Sequence, residues 1–170
     1  MRTIFILPAS ILALALCSAP AFAQTRTYTD PDLGYALELP SPAWAAVPMP
    51  DGAHRHTGFV HNGAGDWRLR VHREMVDRWE TAAALAEEEE TRLRFLPAYV
   101  ETGRESFAGR LSGTRLTYEY SDGGRLMTGR TYYLQANRQT IYVLKFTGAR
   151  DGLAAVSAET DSIARSFRLR

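Results

Sequence analysis

The stretch Ile141-Tyr142-Val143-Leu144-Lys145-Phe146 decides the fold. Five of its six side chains are apolar, and they occupy both the odd and the even positions. In a strand, successive side chains point to opposite faces, so a half-buried strand alternates. A strand that is apolar on both faces lies centrally, with a layer on each side. Upstream, residues 136–139 (Ala-Asn-Arg-Gln) carry turn chemistry, residues 125–134 read as a strand, and Ser121-Asp122-Gly123-Gly124 is a second turn. Before it, Leu116, Tyr118 and Tyr120 alternate with Thr117 and Glu119. The period of two between Glu101 and Phe146 predicts a three-strand meander whose last member is the central strand.

Helical periodicity appears on both sides of that meander. Trp79, Ala82, Ala83, Ala86, Leu93 and Leu96 recur at three- and four-residue steps in a stretch rich in Ala, Glu, Leu and Arg. Asp77 with Glu80 three residues on resembles a capping box, and Pro97 is placed to stop the helix. The run Glu87 to Glu90 precedes Arg92 and Arg94 in the favourable order. Beyond the central strand, residues 148–152 form a loop with Asp151 as the expected N-cap. Leu153, Val156, Thr160, Ile163 and Phe167 then mark a second amphipathic helix. Residues 166–170 read as a last short strand or a tail.

The first third of the chain supplies further strands. Residues 24–29 are a polar lead into the turn Asp30-Pro31-Asp32-Leu33-Gly34, and residues 35–40 form a strand stopped by Pro40. Residues 41–50 hold Pro42, Pro48 and Pro50 around Trp44, which predicts an extended loop pinned by an aromatic anchor. Residues 56–60 read as a strand, 62–66 as a hairpin loop, and 67–73 as the clearest alternation in the chain. There Trp67, Leu69 and Val71 face inward, while Arg68, Arg70 and His72 face out or toward a covering element. Strand runs with segregated helices mean α+β around an antiparallel sheet. With the central strand buried on both faces, the expected architecture is a three-layer α/β/α sandwich, one helix on each face.

The chain has 170 residues, 45% of them apolar, with a formal charge of +1. Its opening, Met1-Arg2-Thr3, an apolar run to Leu16, and Ala21-Phe22-Ala23, describes a secretory signal peptide cleaved after Ala23. The apolar run is too short for a membrane span. Residues 1–23 are thus a leader and 24–170 a single domain. Arg2 is the leader's only charged residue, so the mature charge is zero, which excludes steering toward nucleic acid or an anionic bilayer. Cys17 is the only cysteine. It falls inside the leader, so the mature chain has neither a disulfide nor a thiol nucleophile. Lipid anchoring at Cys17 wants a small residue before it, and Leu16 is bulky.

The opening Tyr28…Gly34-Tyr35-Ala36-Leu37-Glu38-Leu39-Pro40…Trp44, the Glu-rich helix after a hairpin, and the close Ile163-Ala164-Arg165-Ser166-Phe167 after Tyr142-Val143-Leu144-Lys145-Phe146 resemble the PsbP-like family of exported α/β/α proteins, in its uncharacterised bacterial branch. The resemblance covers residues 27–169. It implies the three-layer fold and an accessory or binding role, since members of the family are photosystem subunits, a Ran-binding import factor and envelope lipoproteins. No catalytic motif belongs to the family, so no catalytic residue is carried over.

The residues themselves offer few alternatives. His54 and His56 put two imidazoles on one side of an extended segment, which suits zinc or copper; Asp51, His61, Asp66 and His72 are the further ligands within reach. The plain reading is solvated loop histidines, and no metal or other cofactor is expected. There is no Gly-x-Ser-x-Gly elbow, and neither Asn62-Gly63-Ala64-Gly65 nor Ser121-Asp122-Gly123-Gly124 has a P-loop ending. Tyr118, Tyr120, Tyr132, Tyr133 and Tyr142, with Trp44, Trp67 and Trp79, are expected to be mostly core. The expected function is an exported, monomeric, non-catalytic domain that binds another envelope protein. The alternatives are a small-ligand carrier with an aromatic groove and a metal-binding protein built on His54 and His56.

Overall fold

The computed structural model describes residues 25–48, 57–63 and 66–170. The leader, Cys17, Asp51, His54 and His56 lie outside these residues. Among the described residues ten strands and two α-helices follow in order: β1 (Arg26–Asp30), β2 (Tyr35–Leu39), β3 (Trp44–Val47), β4 (Thr57–His61), β5 (Arg68–Met75), α1 (Ala82–Leu93), β6 (Val100–Ala108), β7 (Ser112–Asp122), β8 (Arg125–Asn137), β9 (Thr140–Ala149), α2 (Leu153–Ser166) and β10 (Arg168–Leu169). Seven strands form one antiparallel sheet in the order β3-β4-β5-β9-β8-β7-β6, and β1-β2-β10 form a small second sheet. The architecture is α+β, as expected.

β9 is the fourth of the seven strands, which is where two-faced burial requires it. Its even-numbered residues Tyr142, Leu144 and Phe146 pack with Tyr35, Val156, Ile163 and Phe167, from the small sheet and from α2 and its C-cap. Its odd-numbered Ile141 and Val143 pack with Ala82, Ala86 and Leu93 of α1. One helix therefore lies on each face. The small sheet was not expected, and it joins the layer of α2.

Several elements differ from the sequence reading, each for a physical reason. β1 occupies the polar lead, because its pairing with β2 draws on backbone groups and does not need an apolar stripe. The turn between them is an Asx turn: the Asp30 carboxylate accepts from the amides of Asp32 (3.0 Å) and Leu33 (2.9 Å), and Gly34 closes it at φ +70°. Trp44 is fully buried, but it opens strand β3 and is not in a loop. The meander has four strands, not three. β6 escaped notice because it is a polar edge strand with only Phe107 buried, and its register shifts between Glu101 and Gly103.

The helix starts also move. Thr81, not Asp77, caps α1, its hydroxyl accepting from the Ala84 amide at 3.2 Å. Asp77 and Glu80 instead close a separate turn, whose Glu80 amide donates to the Asp77 carbonyl at 2.9 Å. Trp79 is left outside the helix. α1 stops at Leu93, before Pro97. Asp151 sits in a 3-10 turn, and the N-cap of α2 is Gly152, without a side-chain bond.

Candidate binding groove between the first helix and the sheet

The two faces of the large sheet are closed differently. On the α2 face, Trp67 lies so close over β9 that a Cβ at Gly148 would stand 2.4 Å from its ring. Its indole donates to the Ala149 carbonyl at 3.2 Å. Arg130 of β8, 7% exposed, donates to the Ser157 hydroxyl (2.7 Å) and to Asp161 (3.2 Å) on α2. Tyr132 donates to the same carboxylate at 2.6 Å, and Arg115 at 2.9 Å. Burial alone would raise the Asp161 carboxyl, but the Tyr132 hydroxyl and the two guanidinium groups outweigh it and hold the group below its ordinary value. This network fastens α2 to β7 and β8.

On the other face α1 lies over β7 and β8. Its buried Glu90 accepts from Arg94 and Arg104, and the Arg94 bond contributes most to lowering its carboxyl, against the opposing effect of burial. Beside the helix, toward β5, a groove of about 340 Å³ remains open. Its floor carries Arg70, His72 and Glu74 from β5, Val143 and Lys145 from β9, and Thr131 and Tyr133 from β8. Leu85, Glu88, Glu89 and Arg92 of α1 form its wall, and Met75, Val76 and Glu80 close one end. The strand alternation read from the sequence created this floor: Leu69 and Val71 go to the core, and Arg70 and His72 to the opposite face.

Ion pairs line the groove. Lys145 holds Glu89 at 3.2 Å and Arg92 holds Glu88 and Glu89, while His72 Nε2 lies 3.1 Å from Glu74, an ion pair when the imidazole is protonated. Of the charged residues lining the groove, two have no ion-pair partner among the described residues, Arg70 and Glu80. The Tyr133 hydroxyl is buried in the floor with no hydrogen-bond partner, and burial, with Glu89 next, pushes its pKa up.

His61 and His72, the two described histidines, do not converge. His61 ends β4 on the far side of β5 from α1's strands. Its Nδ1 accepts from the Gly63 amide at 3.1 Å and its Nε2 faces Glu159 at 3.4 Å, a carboxylate that also accepts from the Trp44 indole at 2.6 Å. Asp66 pairs with Arg125 at 3.4 Å. Among the described residues no three His, Cys, Asp or Glu side chains cluster as a metal site would require.

The aromatic residues are mostly core. Tyr35, Trp44, Trp67, Tyr118, Tyr132, Tyr133 and Tyr142 are all buried, and of these only Tyr133 lines the groove. The groove is therefore lined largely by charge, not by aromatic rings. Its Glu80 end was hidden in the sequence, where that residue served a capping box. Trp79, counted among the helical apolar residues, is 88% exposed, as is Phe95 just past the C-terminus of α1.

No family model matches the sequence, and no curated protein matches it. Solved structures do match its fold. The cyanobacterial PsbP of Synechocystis is 17% identical, with a TM-score of 0.62 over 92% of this chain and 99% of that one. The Ran-binding protein Mog1p of Saccharomyces cerevisiae is 10% identical, with a TM-score of 0.64 over 86% and 96%. LpqN of Mycobacterium tuberculosis, involved in cell envelope biogenesis, is 15% identical, with a TM-score of 0.59 over 86% and 91%. A protein of Bacteroides thetaiotaomicron is matched with a TM-score of 0.61, but the chain spans only 49% of its length. None of these proteins is named for a catalytic activity. The fold expected from the sequence resemblance is thus the one observed: this chain has the PsbP- and Mog1-like α+β fold.

Proposed function

We propose that the protein is an exported, non-catalytic accessory domain that binds another envelope protein through the α1 side of its sheet. The observation that carries this reading is the exposure of Trp79 and Phe95 at the two ends of α1, each 88%, in a chain whose other two tryptophans are fully buried. The helix has 12 residues, so the two rings flank a span of about 18 Å. Trp and Phe are enriched at protein interfaces, and Trp among the residues that carry most of their binding energy. The Ran-binding Mog1p, which shares the fold, supports a binding role, and LpqN, involved in cell envelope biogenesis, supports the envelope as its setting. Export rests on the leader at 1–23, and intact-mass analysis of the exported protein is expected to find Gln24 at its N-terminus. Among the described residues no helix is long and apolar enough to cross a membrane.

The test is crosslinking and affinity capture of the tagged protein from its own cell envelope, read by mass spectrometry. One dominant stoichiometric partner is expected. The double variant Trp79→Ala, Phe95→Ala is expected to lose it while melting at the same temperature. Recovery of the same partner by the double variant would overturn the reading.

A further inference from the structure

We propose that the groove between α1 and the sheet binds a short dipolar peptide of about three residues, its carboxylate on Arg70 and its ammonium on Glu80. The site uses neither the Trp79 nor the Phe95 ring, although Glu80 follows Trp79 in the chain, and it does not depend on the protein-partner reading.

The register fixes the two ends of the groove. Arg70 pairs across the sheet with Lys145, and Lys145 with Thr131. Glu74 pairs with Ile141, and Ile141 with Gln135. Gln135 accepts from the Ala82 amide at 2.9 Å, and the Gln139 carbonyl accepts from the Val76 amide at 3.0 Å. Residues 76–82, Glu80 among them, are therefore held at the Glu74 end. Four residue steps along β5 take Arg70 to Glu74, a distance of about 13 Å.

The charges are distributed to match. The cations and anions in the middle neutralise each other, Lys145 with Glu89 and Arg92 with Glu88 and Glu89. What remains without a partner among the described residues is one guanidinium at the first end and one carboxylate at the other. Arg70 is exposed and Glu80 half-buried. A simple anion held at Arg70 would gain nothing from Glu80, and a simple cation would meet the converse. An occupant that satisfies both carries both charges, separated by most of the groove. An extended tripeptide spans about 10 Å, and the inward reach of two long side chains closes the difference. Between the ends, Val143 and Leu85 offer apolar surface for small side chains, and the floor holds the Tyr133 hydroxyl with no partner of its own. A peptide backbone supplies acceptors of the kind that hydroxyl lacks.

The experiment is an NMR titration of the isotope-labelled mature protein with trialanine, N-acetyl-trialanine and trialanine amide. Trialanine is expected to move the amide signals of residues 70–76, 85–92 and 143–145 in a saturable way. Acetylation and amidation are each expected to weaken binding about tenfold or more. Arg70→Gln is expected to abolish the penalty for amidation while leaving that for acetylation, and Glu80→Gln the reverse. Both residues are on the surface, and unchanged melting temperatures will show that the variants fold. Absence of saturable shifts up to about 10 mM trialanine, beyond weak millimolar affinity, would overturn the proposal. So would equal binding of the free and capped peptides, or penalties unchanged in both variants.

Discussion

The α2 face of the large sheet and its α1 face are built to opposite rules. On the first, aromatic rings fill the space, and the polar groups of Arg130, Tyr132 and Asp161 find one another across the layer. On the second, the helix covers part of the sheet and a groove stays open beside it, and two of the charges that line it, Arg70 and Glu80, have no ion-pair partner among the described residues. Buried polar atoms without a hydrogen bond occur on both faces: the Tyr35 hydroxyl and Arg130 Nε on the first, Thr131 Oγ1 and the Tyr133 hydroxyl in the groove floor of the second. Filled volume and satisfied polar groups produce stability. Open volume and unsatisfied groups lower it, and in a folded protein they mark where something else is meant to fit. The α2 face is thus the filled one, and the α1 face is the one for which binding is proposed.

Mutations can break or sharpen that division. The largest effect is expected from Trp67→Ala on the α2 face, about 3–5 kcal/mol by denaturant unfolding, because it deletes a fully buried indole and its bond to Ala149. Gly148→Ala is expected to cost about 1–3 kcal/mol without removing any contact, since the new methyl must displace the same ring. Costs below about 0.5 kcal/mol, the range of ordinary surface changes, would mean that this face is not the rigid one. Asp161→Ala comes next at about 2 kcal/mol, because it strands the guanidinium of Arg130 in a buried position.

The same carboxylate gives a pH signature. Asp161 and Glu90 are both held below their ordinary values. A group with a depressed folded-state pKa adds stability above its unfolded pKa, and that stability is lost as pH falls through the folded value. The melting temperature is therefore expected to hold between neutrality and about pH 5 and to drop below about pH 4. Asp161→Asn and Glu90→Gln are each expected to melt lower at neutral pH and to show a shallower acid limb. An acid limb as steep as the parent's in both variants would remove this assignment.

On the groove face the expected effects are small and can change sign. Tyr133→Phe deletes a hydroxyl that has no partner, so stability is expected to be unchanged or to rise by up to about 1 kcal/mol. A loss of 2 kcal/mol or more, on the scale of a broken buried bond, would show that the hydroxyl is satisfied after all. Arg70→Gln and Glu80→Gln are expected to stay within about 0.5 kcal/mol of the parent.

The α2 face was far more legible in the sequence than the groove. Side-chain periodicity reports burial, so the two-faced apolar run of β9 located the centre of the sheet, and the alternation of Trp67, Leu69 and Val71 against Arg68, Arg70 and His72 assigned the sides of β5 correctly. What periodicity does not report is backbone pairing by polar segments, so Arg26–Asp30 and Val100–Ala108 were missed as strands. Capping was misread for a related reason. Asp77-Arg78-Trp79-Glu80 satisfies the pattern of a capping box, but the pattern is equally that of a turn, and the tertiary bond from the Ala82 amide to Gln135 fixes the helix start four residues later. That shift carried Trp79 out of the core and placed Glu80 at the end of the groove. No local signal could have joined Glu80 to Arg70, because the groove exists only through the register of β5 on β9 and the seating of α1.

The meander from β6 to β9 has a consequence for the order of folding. Its strands are joined by short turns, so each pairing closes a small loop, whereas β5 must find β9 across roughly seventy residues and β10 must find β2 across about 130. Loop-closure entropy favours the local pairings, so the folding nucleus is expected among β6 to β9. Changes there are expected to slow folding, while changes at the β2–β10 junction mainly speed unfolding. The sheet that carries the groove would then be assembled from its interior outward, with β5, the strand bearing Arg70 and Glu74, arriving on a template already formed.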